Sequence, residues 1–242
     1  EDMRIGNSGT GKVAITSGGS WTTSAAATAR LGANDGALGT VSIDGTNSKW
    51  TANGFAYVGD EGAGEVNLTN GGSWTTAGGK TVYLGYESGG AGAVTVNGIG
   101  SLWTSLGTTH VGYNGSGVVS IVNGGELTVE NNALTIGAQG TLNLYGGTVI
   151  LHAGLTNNGH VDLDGGALTI SGGLDSTLGD FSFSEGMLTV TGADTAATAN
   201  SMTLVVGQTI RVSNGGTLNL ASAKALYVIG GELELASGTL NL

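Results

Sequence analysis

Residues 6–58 read GNSGTGKVAITSGGSWTTSAAATARLGANDGALGTVSIDGTNSKWTANGFAYV, and residues 59–111 read GDEGAGEVNLTNGGSWTTAGGKTVYLGYESGGAGAVTVNGIGSLWTSLGTTHV. Laid over one another without a gap, the two 53-residue blocks share 23 positions. Each block divides again into two units, whose leading glycines are Gly6, Gly32, Gly59, Gly85 and Gly112, in steps of 26, 27, 26 and 27. A period of that length marks a solenoid or an array, and it outranks any single motif.

One unit holds three short extended segments separated by glycine turns. The first ends in an aliphatic residue and glycine (Ile5-Gly6, Leu31-Gly32, Val58-Gly59, Leu84-Gly85). The second is Gly-x-Val-x-[Ile/Leu/Val], starting at Gly11, Gly39, Gly64, Gly92 and Gly117. The third carries Trp-Thr, at Trp21, Trp50, Trp74 and Trp103. Alternation such as Val13-Ala14-Ile15 or Val41-Ser42-Ile43 is the period of a half-buried strand. Only Ser24–Thr28 has a helix-like composition, and it is too short to count. Beyond residue 113 the tryptophans stop but the strand formula recurs, as at Gly125–Val129, Gly140–Leu144, Gly159–Leu163, Gly166–Ile170 and Gly216–Leu220. Residues 1–112 therefore read as regular repeats and 113–242 as a degenerate continuation of one domain, with 192–200 expected to bulge as a loop.

Strands with one apolar face each can bury it only against neighbouring copies. Winding the chain into coils stacks equivalent strands about 4.8 Å apart, so that like residues form columns. Glycine supplies the positive-φ corners, and the absence of proline leaves every backbone N–H free for the ladder. The expected fold is all-β: a right-handed parallel β-helix, a β-solenoid with about three short strands per coil. About nine coils would make a rod roughly 45 Å long. A propeller needs at least four blades of roughly 40–45 residues and only two long blocks are present.

Composition agrees. Glycine fills 48 of 242 positions, yet proline is absent, which excludes collagen. Leu, Ile, Val and Phe together make 57 residues, enough to build a core. Charged residues are only 10%, so Thr, Ser, Asn and Gly must face water. No apolar run approaches the roughly 18–20 residues of a membrane helix. Net charge is −11, and residues 81–210 contain no Lys or Arg, which disfavours nucleic acid and anionic membranes as partners. With no cysteine, disulfides, thiol catalysis and Cys-ligated metals are excluded.

The unit G-x-G-x-V-x-[IL]-x-x-G-G-S-W-T, opened by [IVL]-G, resembles the repeat of autotransporter (type V secretion) passengers and PEP-CTERM-type bacterial surface proteins over about residues 4–112. The later G-x-L-x-[LV] copies are similar to autotransporter-associated β-strand repeats. The resemblance implies a secreted parallel β-helix on a Gram-negative-type cell surface.

Several motifs invite chemistry. Gly6–Lys12 spells G-x-x-x-x-G-K, most of a phosphate-binding loop, but Val13 replaces the required Ser or Thr and a strand follows where a helix is needed. His160, Asp162 and Asp164 fall on one face of a strand, where they form a candidate polar site against the simpler reading of a wet strand face. His110 and His152 have no carboxylate nearby in sequence and receive no role, and Asp60, Glu61, Glu65, Glu232 and Glu234 read as solvated charges. Trp21, Trp50, Trp74 and Trp103 form a column that either stacks on sugar rings or fills a solenoid corner. The 31 threonines make no clean Thr-x-Thr rank for ordering ice. No catalytic residue, cofactor or metal is expected.

The leading expectation is a non-enzymatic extracellular structural or adhesive solenoid. The alternative is a carbohydrate-binding or polysaccharide-degrading β-helix, although a lyase needs a cation for its uronate and 81–210 offers none. Both Glu1–Arg4 and Gly238–Leu242 run directly into the strand formula. Open end strands template further strands, so the expected partner is a longer stretch of solenoid or a second copy stacked end to end, with a polysaccharide or a cell surface alongside.

Overall fold

The computed structural model describes residues 2–171, 176–177, 180–192, 196–199, 202–220 and 225–241. Among them there is no helix, and every ladder between strands is parallel. The chain is a β-solenoid with three faces. The short face opens each coil with Met3–Ile5, Ala29–Leu31, Ala56–Val58, Thr81–Leu84, Thr108–Val111, Leu134–Ile136 and Leu155–Asn157, a seven-stranded sheet. The long face follows with Thr10–Thr16, Leu38–Asp44, Ala63–Thr69, Ala91–Asn97, Ser116–Val122 and Gly140–Tyr145. The tryptophan face closes the coil with Ser20–Thr23, Lys49–Ala52, Ser73–Thr76, Leu102–Ser105, Glu126–Val129 and Thr148–Leu151.

The columns obey the sequence period. Gly11, Gly39, Gly64, Gly92, Gly117 and Gly140 pair in register from coil to coil. So do Val41, Val66, Val94 and Val119, each with almost no exposed surface. Glycine at the first corner is a requirement of geometry. Gly32 has φ 63°, and a Cβ there would stand 2.0 Å from the Ala63 carbonyl oxygen. At the next corner Asn47, Asn70 and Asn123 adopt positive φ, which asparagine tolerates best after glycine. Two of these amides extend the ladder outward: Asn70 Nδ2 donates to Asp44 Oδ1 at 2.7 Å, and Asn123 Nδ2 to Asn97 Oδ1 at 2.9 Å.

The irregular spacing after residue 113 has a structural cause. The corner between the long and tryptophan faces contracts to Gly146-Gly147 between Gly140–Tyr145 and Thr148–Leu151. In the next coil the separate turn is absorbed into the strand, and His160–Ser171 runs as one twelve-residue strand across both faces, with a bend at Gly165, φ 75°. The two faces thereby join into one sixteen-stranded sheet. Pairing across this stretch falls to Leu134↔Leu155, a step of 21, where the early coils step by 26 or 27.

Ser24–Thr28, too short for a helix, forms a turn closed by Ala27 N donating to Ser24 O at 3.1 Å. One smaller expectation changes. Of the loop expected at 192–200, Ala196–Ala199 is a strand in register with Thr217–Leu220, while residues 193–195 and 200 lie outside the described residues. Strand pairing with a neighbouring coil overrides the Ala/Thr composition that suggested a loop.

Candidate functional site: an outward aromatic row

The tryptophans form the expected column, but it faces inward. Trp21↔Trp50, Trp50↔Trp74 and Trp74↔Trp103 are register partners, and their rings stack at 4.8–4.9 Å with planes within 10°. Trp50, Trp74 and Trp103 have 0% exposure. Trp21, in the first coil, is half-buried. A sugar cannot reach faces already covered by other indoles, so the carbohydrate-stacking assignment of this column is corrected. It is a core element, continued in the next coils by Leu127 and Val149. The buried indole N–H groups of Trp50, Trp74 and Trp103 have no hydrogen-bond acceptor.

His160, Asp162 and Asp164 lie outward on the long face, flanking buried Val161 and Leu163. Tyr145 joins them from the preceding coil: its hydroxyl donates to Asp162 Oδ2 at 3.0 Å. That hydrogen bond, then desolvation and the charges of Asp162 and Asp164, raise the pKa of Tyr145. No group of three or more His, Asp or Glu side chains converges on a metal position among the described residues. Lys12 projects from the exposed side of Thr10–Thr16, a strand, where a phosphate loop would need the start of a helix.

The feature that sequence inspection missed lies on the short face. In the first six coils the leading glycine lies two residues beyond the outward side chain of the strand, and in the seventh Asn158 takes that place. The outward column therefore reads Arg4, Arg30, Tyr57, Tyr83, His110, Thr135 and Thr156. Tyr57 and Tyr83 stack at 5.3 Å, and Tyr83 and His110 at 5.4 Å. A second row comes from the residue after the leading glycine, whose positive φ turns that side chain back over the face. Tyr86 meets Tyr57 edge-on at 4.7 Å, and Tyr113 meets Tyr83 edge-on at 4.9 Å. Tyr86 and Tyr113 lie parallel to one another at 5.6 Å.

The same diagonal contact is ionic one coil earlier. Asp60 follows Gly59 as Tyr86 follows Gly85, and it accepts from Arg30 Nη1 at 2.5 Å. Asp60 is thus buried, not solvated as its sequence context suggested, because the corner aims it at the short face. Arg30 also lies 4.4 Å over the Tyr57 ring. Burial pulls the Arg30 pKa down, but the hydrogen bond and charge of Asp60 outweigh it, and the net shift is upward. Glu234 is also paired, with Arg211 at 2.8 Å across the last described coils.

At its other end the row stops abruptly. Beyond His110 the column steps down to Thr135, and a cleft of about 370 Å³ opens there, walled by His110 and Tyr113 and floored by Gly112, Gly137 and Ala138. Burial lowers the pKa of His110, which keeps its ring neutral around pH 7.

No family model matches the chain, and no curated protein does. The solved structure of a TibC-catalyzed hyper-glycosylated TibA fragment matches over 99% of this chain and 94% of its own, at 19% identity and a TM-score of 0.34. A likeness that weak carries no weight for role, and the fold stands on the strand register itself.

Proposed function

We propose that the chain is a non-enzymatic, extracellular adhesive rod: a stiff ladder that presents one built surface to a partner. The observation that carries this is the outward aromatic row, five rings (Tyr57, Tyr83, Tyr86, His110 and Tyr113) locked against one another on a parallel ladder. Side chains fixed in this way lose little entropy on contact, which favours binding over catalysis by moving parts. The resemblance of residues 4–112 to bacterial surface repeats supports an extracellular setting. Beads coated with the purified chain should be retained on polysaccharide-coated or cell-covered surfaces. Retention equal to that of beads coated with an unrelated protein would overturn the adhesive role. Turnover of acidic polysaccharides that disappears in His160→Ala would overturn the non-enzymatic one.

End-to-end stacking of copies is the finer form of this proposal, supported by the last described coils. Leu226, Leu233 and Leu240 are only partly buried there, and Tyr227, Val228, Ile229 and Leu235 are exposed. An apolar edge of that kind suits a further coil. Sedimentation of the chain as a monomer at high concentration would remove this form and leave the rod.

A further inference from the structure

We infer that the cleft at the end of the aromatic row, between His110 and Tyr113, is a binding site for a neutral glycan, which gives the adhesive role proposed above its ligand class. The cleft exists because the row ends. His110 has Tyr83 on one side and only Thr135 on the other, so no aromatic neighbour covers its far face. Tyr113 has Tyr86 on one side and is 47% exposed. The two rings meet at 62° with centroids 5.3 Å apart, forming a corner of two aromatic surfaces. The floor of glycine and alanine lets a flat ring descend between them.

The polar groups complete the fit. Thr135 stands at the step and Asn158 at the rim, both lining the cleft. Among the described residues neither side chain, nor that of His110 or Tyr113, makes a hydrogen bond within the chain, so hydroxyl and amide groups are available to sugar hydroxyls. The C–H face of a pyranose packs on an aromatic ring, while its equatorial hydroxyls look for such donors and acceptors. The volume of about 370 Å³ lies within the range of small-ligand sites.

Charge selects the class. No lining residue carries a full charge, and residues 81–210 contain no Lys or Arg to pair a uronate, sulfate or phosphate. Asp35, Glu61 and Glu87 line a neighbouring groove and repel anions further. An acidic polysaccharide would lose its counterions and gain no partner, whereas a neutral hexose chain loses nothing.

The test uses the full chain with panels of neutral oligosaccharides (gluco-, manno- and galacto-configured) and of uronate oligosaccharides, read by ligand-observed NMR and calorimetry. At least one neutral panel should bind. Tyr113→Ala should weaken that binding by about tenfold or more. Thr135→Tyr, which extends the row into the cleft, should abolish it, with an unchanged far-ultraviolet dichroism spectrum and a cooperative unfolding transition in each variant to show an intact fold. Neutral-glycan binding that survives both substitutions would overturn the site, as would no binding by the wild-type chain. Preference for the uronate panel would overturn the ligand class. Bead retention that persists in Thr135→Tyr would refute this cleft while leaving the adhesive rod standing.

Discussion

At the scale of single residues, the tryptophan column and the corner glycines make opposite demands. Trp74 is fully buried between two other indoles, yet its N–H finds no acceptor. Trp74→Ala should cost about 3–5 kcal/mol for the lost ring. Trp74→Phe should cost less than half of that, because it also removes an orphan donor whose burial costs about 1–3 kcal/mol. Denaturant midpoints of the two variants check the order. Among the glycines, Gly32 and Gly36 share a positive φ, of 63° and 70°, but only Gly32 faces backbone, at 2.0 Å; nothing lies within 4 Å of a Cβ on Gly36. Gly36→Ala should cost about 1–2 kcal/mol of backbone strain, and Gly32→Ala clearly more. The outward row adds a pH term. Burial against Tyr83 and Tyr113 lowers the pKa of His110. The unfolded chain therefore takes up its proton first as pH falls. The His110 contribution to stability is complete above the ordinary histidine value of about 6.5 and is lost on acidification through that value, down to the lower folded pKa. Comparing unfolding midpoints at pH 7.5 and pH 5 with those of His110→Gln isolates it: the drop should be smaller in the variant.

At the scale of elements, the short face shows one diagonal contact filled in two ways, as Arg30–Asp60 and as Tyr57–Tyr86 or Tyr83–Tyr113. Removing one ionic partner should hurt more than exchanging the pair. Asp60→Asn leaves the half-buried guanidinium only its longer contact with Asp2, at 3.7 Å, and should cost about 1–3 kcal/mol. The double variant Arg30→Tyr/Asp60→Tyr should recover most of that, since the backbone already holds two edge-on tyrosine pairs at the same register. A double-mutant cycle measures the recovery. This contact also explains what could be read beforehand. The glycine corners, the valine columns and the tryptophan register depend on identical residues recurring at a fixed period, and identity is what the eye finds. The aromatic row mixes Arg, Tyr and His at one position and joins residues 29 or 30 apart across two coils, so no motif spells it. Its signal was present two places before, and one place after, each leading glycine. The cleft was less legible still, because it is made by a ring that is missing, at Thr135.

At the scale of the whole molecule, each coil contacts only its neighbours, so stability should be nearly a sum over coils and interfaces. Deleting residues 59–111, two complete coils, joins Val58 to Gly112 in the register that Val58 already has with Gly59. The shortened chain should keep a β-sheet circular dichroism spectrum and unfold at a lower midpoint. Deleting 59–98 instead breaks the period, turns apolar columns outward, and should abolish cooperative unfolding. Loss of folding in both deletions would show that the coils are not independent units.

The indole stack has one more consequence. The chain has four tryptophans, all between residues 21 and 103, with neighbouring rings 4.8–4.9 Å apart. Light absorbed by one indole can hop to the next before it is emitted, so the fluorescence of the native rod belongs to the stack as a whole and not to any single ring. It should also be blind to everything beyond the fourth coil. A melt followed by emission and one followed by far-ultraviolet dichroism then watch different lengths of the same rod, and any gap between the two curves marks where along its axis the protein first comes apart.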